Sequence, residues 1–226
     1  MKKLSVIITG ATGMVGEGVL HQCLEHPAVE KVLVITRNPS GYSHPKLTEI
    51  IHGDLSDISS LGNRLAGYNA CYFCLGVTSL GKSEADYFGL TYTLTLNFAK
   101  TLAACNPDMT FCYISGAGTD SSEKGRVMWA RVKGKTENDL AKLPFRQVYN
   151  FRPAGILPFL PLKPTQTFYT TYRYLGWLFS LVKVVAPNYV VTLKDLAAAM
   201  INVSLTGYSG NNIEVKDIKL LARKSL

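Results

Sequence analysis

The sequence TGATGMVGEG, residues Thr9–Gly18, is the strongest indicator of how this chain folds. It follows the apolar run Leu4–Ile8, which is rich in β-branched residues and predicts a buried strand. Apolar residues then recur at helical spacing from Val15 to Cys23 and predict a helix that begins near Met14. A strand, a tight glycine turn and a helix in this order are typical of a dinucleotide site, in which phosphates lie against the first helical amides.

The glycines of this turn have distinct expected roles. Gly10 allows a sharp exit from the strand, Gly13 lets the backbone approach a pyrophosphate, and Gly16 lets the helix pack closely on the sheet. The helix dipole adds a positive end to the same place. The residues that we expect to bind the cofactor here are Thr9, Gly10, Thr12, Gly13, Met14 and Gly16.

Length and charge limit the remaining possibilities. The 226 residues, 47% of them hydrophobic, suffice for one large α/β domain and are too few for two. We expect a single domain over residues 1–226, in which residues from about 155 add a small C-terminal lobe on the substrate side. The net charge of +8 comes from scattered Lys and Arg, which indicates a solvated surface and no nucleic-acid partner. No apolar run is long enough to predict a membrane span.

The five cysteines are an odd number and lack the spacing of a disulfide scaffold. Cys71 and Cys74 form a Cys-x-x-Cys, but within a predicted strand an offset of three places them on opposite faces. We therefore expect no metal site and no redox role. Reduced cysteines predict a cytoplasmic location.

Strands and helices alternate along the chain, which predicts a Rossmann-type, doubly wound parallel sheet with helices on both faces. The later predicted strands are Lys31–Thr36, Leu47–His52, Ala70–Leu75, Thr110–Ile114, Gln147–Phe151 and Ile213–Val215. The later predicted helices are Leu55–Leu65, Glu84–Ala104, Arg126–Lys142, Tyr169–Val185, Leu193–Val203 and a short basic one at the C-terminus. The polar segment Thr119–Lys124 predicts a flexible loop, and Pro158, Pro161 and Pro164 punctuate another.

The end of the second strand bears on cofactor choice. Thr36 and Arg37 stand where an acidic residue would take the ribose 2′-hydroxyl of NAD, and an arginine suits a 2′-phosphate. We therefore expect NADP(H) to be preferred over NAD(H); the alternative is that Arg37 is only a solvated loop residue. Asp54 either caps the following helix or lies beside the adenine, and the sequence favours the cap.

Ligands of a doubly wound sheet bind beyond the carboxyl ends of the strands. Leu75 and Gly76 end a predicted strand and are therefore expected to border the cofactor. Lys82 follows them as a candidate phosphate or substrate contact, or as an exposed lysine without a role.

These motifs resemble the extended and atypical short-chain dehydrogenase/reductases, whose turn is Thr-Gly-x-x-Gly-x-x-Gly. The runs CLGVTSLGK (74–82), ISGAGTDSS (114–122), RVKGKTE (131–137) and FRPAGIL (151–157) resemble the Tat-interacting-protein-like branch, often labelled nucleoside-diphosphate-sugar epimerase-like. The likeness extends over nearly the whole chain, and its most specific part is the serine loop followed by the Val-Lys-Gly helix.

The resemblance implies roles for particular residues. Ser115 would hold a substrate carbonyl or hydroxyl, Lys133 would bond the nicotinamide ribose, and Pro153 would border the nicotinamide. Asp54 and Leu55 would flank the adenine, and Arg37 the 2′-phosphate. The substrate pocket would comprise the Ser115 loop, residues after Ala154, and Tyr169, Tyr172 or Arg173.

One position departs from the family pattern Tyr-x-x-x-Lys, because this chain has Trp129 four residues before Lys133. The two residues share a helix face. The missing phenol is the group that exchanges a proton as hydride moves, and an indole N–H does not titrate usefully. Tyr113 or Tyr87 could substitute, although each also suits a core position.

Three hypotheses follow from these observations. The first is an NADPH-dependent oxidoreductase or epimerase-like enzyme, monomeric or homodimeric, that acts on a small carbonyl or hydroxyl compound. The second is a catalytically weak or inactive NADPH-binding regulatory or interaction protein, which the missing phenol favours. The third and weakest is peripheral contact with an acidic surface through residues Tyr169–Lys183.

Overall fold

The apolar runs form parallel strands in one twisted sheet, as a computed structural model that describes residues 3–158 and 189–224 shows. The strands are β1 Leu4–Thr9, β2 Val29–Thr36, β3 Leu47–Ile51, β4 Ala70–Phe73, β5 Thr110–Ile114, β6 Gln147–Arg152 and β9 Asn212–Glu214. Their order in the sheet is β3-β2-β1-β4-β5-β6-β9, and every neighbouring pair is parallel. This is the predicted doubly wound fold.

Helices cover both faces of the sheet, as predicted. They are α1 Met14–Glu25, α2 Glu84–Phe88, α3 Leu94–Cys105, α4 Met128–Leu140, α5 Leu193–Thr206 and α6 Val215–Ala222, numbered over the described residues. One hydrophobic core packs the sheet against α1, α5 and α6, and a second packs it against α3 and its neighbours. Burial of both strand faces explains why the strands are near-continuous apolar runs.

The strand order reverses between β1 and β4, and this position determines where a ligand can bind. Thr9 pairs with Phe73, Phe73 with Tyr113, and Ile114 with Phe151, so the carboxyl ends of the four central strands lie side by side. The glycine turn and the loops after β4, β5 and β6 all leave the sheet at this edge. Such a switch point is where ligands bind in open α/β sheets.

Three predicted elements differ in the structure. Strand β4 ends at Phe73 and does not reach Leu75. The predicted helix Leu55–Leu65 is a short 3₁₀ segment, Ser59–Leu65, interrupted by Gly62, whose φ of 50° is incompatible with a helix. The predicted helix Glu84–Ala104 contains a π-helical turn, Gly89–Thr93, between α2 and α3. Apolar periodicity alone does not separate these turns from an α-helix.

The sequence did not predict a second, two-stranded parallel sheet, formed by β7 Gly155–Leu157 and β8 Val190–Thr192. These strands have only three residues each, which is too short for a periodic pattern. Pro161, Pro164 and the predicted helix Tyr169–Val185 lie outside the described residues. Among the described residues, none of the helices has the length and hydropathy needed to cross a membrane.

Candidate functional site

The turn after β1 requires glycine at two positions. Gly10 has a φ of +71°, and a Cβ there would lie 2.7 Å from the carbonyl oxygen of Cys74. A Cβ on Gly16 would lie 2.2 Å from the carbonyl oxygen of Gly10. Gly16 therefore allows the helix to approach its own turn, whereas the sequence predicted an approach to the sheet.

The same turn leaves amide donors at the start of α1. The Gly13 N–H donates to the Gly10 carbonyl at 2.9 Å, and Gly13 is an N-cap without a side-chain cap. The N–H groups of Met14, Val15 and Gly16 are the first of the helix and have no acceptor within it. Gly13 and the neighbouring Thr12 are exposed, so a pyrophosphate can reach these amides.

Open space adjoins this turn along the carboxyl edge of the sheet. An added Cβ on Gly53 or Gly76 would meet no atom within 4 Å, and both glycines are exposed. Thr9, in contrast, is fully buried, and its hydroxyl accepts from the Leu75 N–H at 3.3 Å. Thr9 thus joins the ends of β1 and β4 and offers no side-chain contact to a ligand.

The residues predicted to lie near adenosine are at the ends of β2 and β3. Arg37 is exposed directly after β2. Asp54 accepts from the Ser56 N–H at 2.8 Å and from its hydroxyl at 2.6 Å, and these bonds lower the pKa of the Asp54 carboxyl. It caps no helix, so the cap prediction was wrong. Leu55 is buried in the core.

Lys133 and Ser115 meet beyond the end of β5. The Lys133 ammonium donates to the carbonyl oxygens of Ser115 at 2.9 Å and Ile114 at 3.3 Å. Burial lowers the pKa of Lys133 to about 8, and the charge of Glu137 partly opposes this shift. Thr119 donates its hydroxyl hydrogen to the Gly116 carbonyl at 2.7 Å, so the Ser115 hydroxyl is the donor in its 2.9 Å bond to Thr119.

Trp129 lies against the Ser115 loop. Added Cβ atoms on Gly116 and Gly118 would lie 4.0 and 3.7 Å from its indole ring. The two phenols considered as substitutes are core residues: Tyr87 is 2% and Tyr113 is 1% exposed. Burial raises the pKa of both. Neither is therefore suited to exchange a proton with a substrate at neutral pH.

The polar loop predicted to be flexible is held along α4. The Asp120 N–H donates to the Ala130 carbonyl at 3.1 Å, and its carboxylate accepts from the Gly125 N–H at 2.6 Å. The Asn138 amide donates to the Ser121 carbonyl at 3.0 Å. Polar composition predicts exposure, but it does not reveal these bonds, two of which reach α4 and fix the loop.

Sequence reasoning missed a buried ion pair beside this site. Arg152 donates through Nε to Glu137 at 3.0 Å and also bonds Glu137 through Nη2. Glu137 follows Lys133 by one helical turn, and Arg152 directly precedes Pro153. Glu137 is the last residue of the run RVKGKTE and Arg152 the second residue of FRPAGIL, but neither run indicates that the two side chains meet.

The structure thus brings together Ser115, Lys133, Trp129 and Pro153. The Pro153 carbonyl accepts from the Ala117 N–H at 3.0 Å, and the Phe151 carbonyl accepts from the Ser115 N–H at 2.8 Å. Lys82 is half-buried in the loop before α2. Tyr169, Tyr172 and Arg173 lie outside the described residues.

Sequence comparisons match this chain to one family model and to several relatives. The sequence model of the NAD dependent epimerase/dehydratase family matches residues 6–127. Protein fmp52-1, mitochondrial, of Aspergillus terreus is 26% identical over 161 residues, 67% of this chain and 66% of that protein. Protein fmp52, mitochondrial, of Emericella nidulans is 30% identical over 159 residues, again 67% and 66%. The chain therefore spans just under two thirds of the length of these relatives.

Solved structures share the fold. The Bordetella bronchiseptica enzyme WbmF in complex with NAD⁺ matches with a TM-score of 0.67 at 15% identity, covering 98% of this chain and 77% of that chain. UDP-N-acetylglucosamine 4-epimerase from Methanobrevibacter ruminantium matches with a TM-score of 0.65 at 15% identity, covering 94% and 76%.

The names of the relatives overturn one prediction. They are named mitochondrial proteins, which contradicts the cytoplasmic location expected from the cysteines. That prediction was wrong because an odd, unpatterned set of cysteines argues against an oxidising compartment but does not distinguish between reducing ones.

Proposed function

Because the chain belongs to the NAD dependent epimerase/dehydratase family, as its resemblance to the short-chain dehydrogenase/reductases predicts, we propose that it binds NADP(H) in preference to NAD(H). We further propose that it is an oxidoreductase or epimerase-like enzyme acting on a small carbonyl or hydroxyl compound. The observation that carries this proposal is the juxtaposition, along one edge of the sheet, of the amide-lined turn and the Ser115–Lys133 pair.

The residues present fit a dinucleotide. The glycine turn offers amide donors and the positive end of α1 to a pyrophosphate. The open space at Gly53 and Gly76 leaves room beside it. Arg37 is exposed and suits a 2′-phosphate. Lys133, whose ammonium is a donor, suits the hydroxyls of the nicotinamide ribose. A bound nicotinamide would supply or accept the hydride.

The chain's own groups would orient the substrate. The Ser115 hydroxyl, which donates to Thr119, can rotate to donate to a substrate oxygen. Lys133 would place its positive charge beside a substrate oxygen and would stabilise negative charge there. Trp129 cannot supply the proton, and a missing general acid costs about 10²- to 10⁴-fold in rate. We therefore expect slow turnover.

The residues from about 155 onward would form the substrate-side lobe. The sheet of β7 and β8 pairs the segment after β6 with the three residues that directly precede α5. This pairing anchors the lobe beside the main sheet. We propose that all residues act as one domain with this lobe appended.

The experiment that tests cofactor choice is a calorimetric titration of the protein with NADPH and NADH. We expect Arg37→Ala to weaken NADPH about tenfold and to leave NADH unchanged, since one exposed phosphate contact is lost. Equal effects on both cofactors would contradict the 2′-phosphate role of Arg37. Binding of neither cofactor at millimolar concentration would contradict the whole proposal.

A second candidate function is a regulatory or interaction protein that binds NADPH without turnover. The burial of Tyr87 and Tyr113 favours it, because neither of these phenols is exposed to replace the one absent at Trp129. Trp129→Tyr distinguishes the two functions in an NADPH oxidation assay over a carbonyl panel. Activity in the variant alone supports the regulatory function, whereas a parent as fast as the variant contradicts it.

A further inference from the structure

The buried pair of Arg152 and Glu137 joins several elements of the site. Arg152 is 9% and Glu137 is 2% exposed. Besides both carboxylate oxygens of Glu137, the guanidinium donates to the Ser121 hydroxyl at 2.6 Å and to Glu214 at 3.2 Å. Through these bonds, the end of β6 is joined to α4, to the Ser115 loop and to the end of β9.

Stability alone does not account for such a pair. Desolvation makes buried ion pairs costly, and apolar residues of similar volume often stabilise a protein equally well. What an apolar pair lacks is direction, because a bidentate guanidinium fixes both the distance and the orientation of its partners. Here the partners are the helix that carries Lys133 and the loop that follows Ser115.

We propose that Arg152 and Glu137 are positioning residues of the dinucleotide site, which hold Lys133 and the Ser115 loop in the geometry that meets the nicotinamide ribose and the substrate oxygen. This inference rests on the proposed function. Glu137 acts on Lys133 through its charge from one helical turn away, and Arg152 acts on the loop through Ser121.

The charge of Glu137 supplies a readout that a purely structural role would not move. Glu137 raises the pKa of Lys133 against the larger, lowering effect of burial. The other groups at Lys133 are the Tyr113 ring of β5, whose centroid lies 5.7 Å from Nζ, and Arg152 of β6 through Glu137. Removing the carboxylate charge should therefore favour neutral Lys133.

The decisive experiment measures NADPH affinity against pH in the full chain and in Glu137→Gln. Glutamine keeps the shape and one acceptor for Arg152 but removes the charge. We expect the pH at which affinity falls, as Lys133 loses its proton, to shift downward by about one unit. The matched control is Glu84→Gln, which removes the charge from an exposed carboxylate that accepts from Arg131 Nη2 of α4 at 2.9 and 3.0 Å, and it should shift nothing.

A second variant tests the loop without leaving a buried charge unpaired. Ser121→Ala removes only the hydroxyl that accepts a hydrogen bond from the Arg152 guanidinium. Lys124 and Arg126 are exposed in the same loop and are natural trypsin sites. We expect trypsin to cut there about three- to tenfold faster in Ser121→Ala than in the parent, because the loop opens more often.

The outcomes separate this inference from the proposed function. A parent that binds neither NADPH nor NADH contradicts the proposed function. If the parent binds NADPH but Glu137→Gln leaves the pH profile in place and Ser121→Ala leaves trypsin cleavage unchanged, the positioning role is overturned. If Glu137→Gln fails to fold, the trypsin rate of Ser121→Ala decides the inference by itself.

Discussion

The two halves of the candidate site are built in opposite ways. The turn between β1 and α1 presents backbone amides, and the contacts that shape Gly10, Gly13 and Gly16 lie within Thr9–Gly18 or directly after β4. The half around Ser115 uses side chains, and its bonds join residues 15, 18 and 31 positions apart. A backbone site is thus encoded locally, whereas a side-chain site depends on the completed fold.

This difference predicts that substitutions in the turn weaken cofactor binding most, whereas those in the other half weaken it less and alter catalysis, loop stability or pH response. The largest effect is expected for Gly16→Ala. Its Cβ would lie 2.2 Å from the Gly10 carbonyl, which is backbone and cannot rotate away. We expect a loss of about 3 kcal/mol in the free energy of unfolding. NADPH affinity should fall about 100-fold, because charge-assisted bonds from displaced amides weaken.

Denaturant unfolding and NADPH titration measure both effects. The matched control is Gly89→Ala, because an added Cβ there meets no atom within 4 Å. It should change the free energy of unfolding by no more than about 1 kcal/mol. Unchanged NADPH affinity in Gly16→Ala would show that the turn is not the phosphate site.

The second prediction concerns Gly134→Ala, in the other half of the site. A Cβ at Gly134 would lie 1.8 Å from the Asp120 carbonyl, so the loop and α4 must separate. We expect the free energy of unfolding to fall by about 2 kcal/mol, and NADPH affinity to fall by no more than about tenfold, which is the expected contribution of Lys133. Thermal unfolding and the same titration measure this. A loss of affinity as large as in Gly16→Ala would mean that the two halves are not independent.

The same contrast explains what the sequence could and could not predict. The fold followed from apolar runs and from one glycine motif, because each strand and its helix are local patterns. Ser115 and Lys133 were identified only through a resemblance. The fixed loop after Ser115 and the pair of Arg152 and Glu137 were not predicted, since nothing within their own segments indicates that they meet.

The errors in the predicted elements have a similar cause. Gly62 interrupts a run whose apolar spacing fits a helix, and Asp54 bonds Ser56 in place of a helix end. The left-handed conformation of Gly62 and the bond of Asp54 to Ser56 are local preferences, and they prevailed over the helical spacing of the apolar residues. The three-residue strands β7 and β8 exist only because they pair with each other.

The third prediction concerns the pH response of Lys133. Its pKa of about 8 in the folded protein is below its ordinary value of 10.5. We expect NADPH affinity to be constant between about pH 7 and 7.5, above the second pKa of the 2′-phosphate, and to fall above pH 8. Lys133→Met should weaken binding about tenfold at pH 7 and abolish the fall above pH 8. A pH profile that persists in Lys133→Met would assign the titration to another group.

Linkage gives the corresponding change in stability. Between pH 8 and 10.5 the unfolded chain binds more protons than the folded one, so the free energy of unfolding rises with pH. Over this range the free energy of unfolding of the parent should therefore rise by on the order of 1 kcal/mol relative to that of Lys133→Met. Below pH 8 the difference between parent and variant should be constant. Chemical unfolding at several pH values measures it.

The smallest effect is expected for Asp139→Asn, two residues beyond Glu137 on the same helix. Burial acts to raise the pKa of the Asp139 carboxyl, but bonds to Lys142 at 2.6 Å, Lys135 at 2.9 Å and Tyr92 at 2.8 Å together hold it below its usual range. Its stabilising contribution is present above about pH 4 and is lost as pH falls. Since Lys142 is 74% exposed, we expect a cost of at most about 1 kcal/mol at pH 7.

Asp139→Asn also tests the assignment of Glu137 to the site. Both carboxylates belong to α4 and pair with cations, but the structure joins only Glu137 to Arg152 and to the charge of Lys133. Asp139→Asn should therefore leave the pH profile of NADPH binding unchanged while lowering stability at neutral pH, as urea unfolding can measure. If Asp139→Asn shifted that profile as much as Glu137→Gln does, any negative charge on α4 would be enough to raise the pKa of Lys133. The bidentate pairing of Glu137 with Arg152 would then not be what orients Lys133.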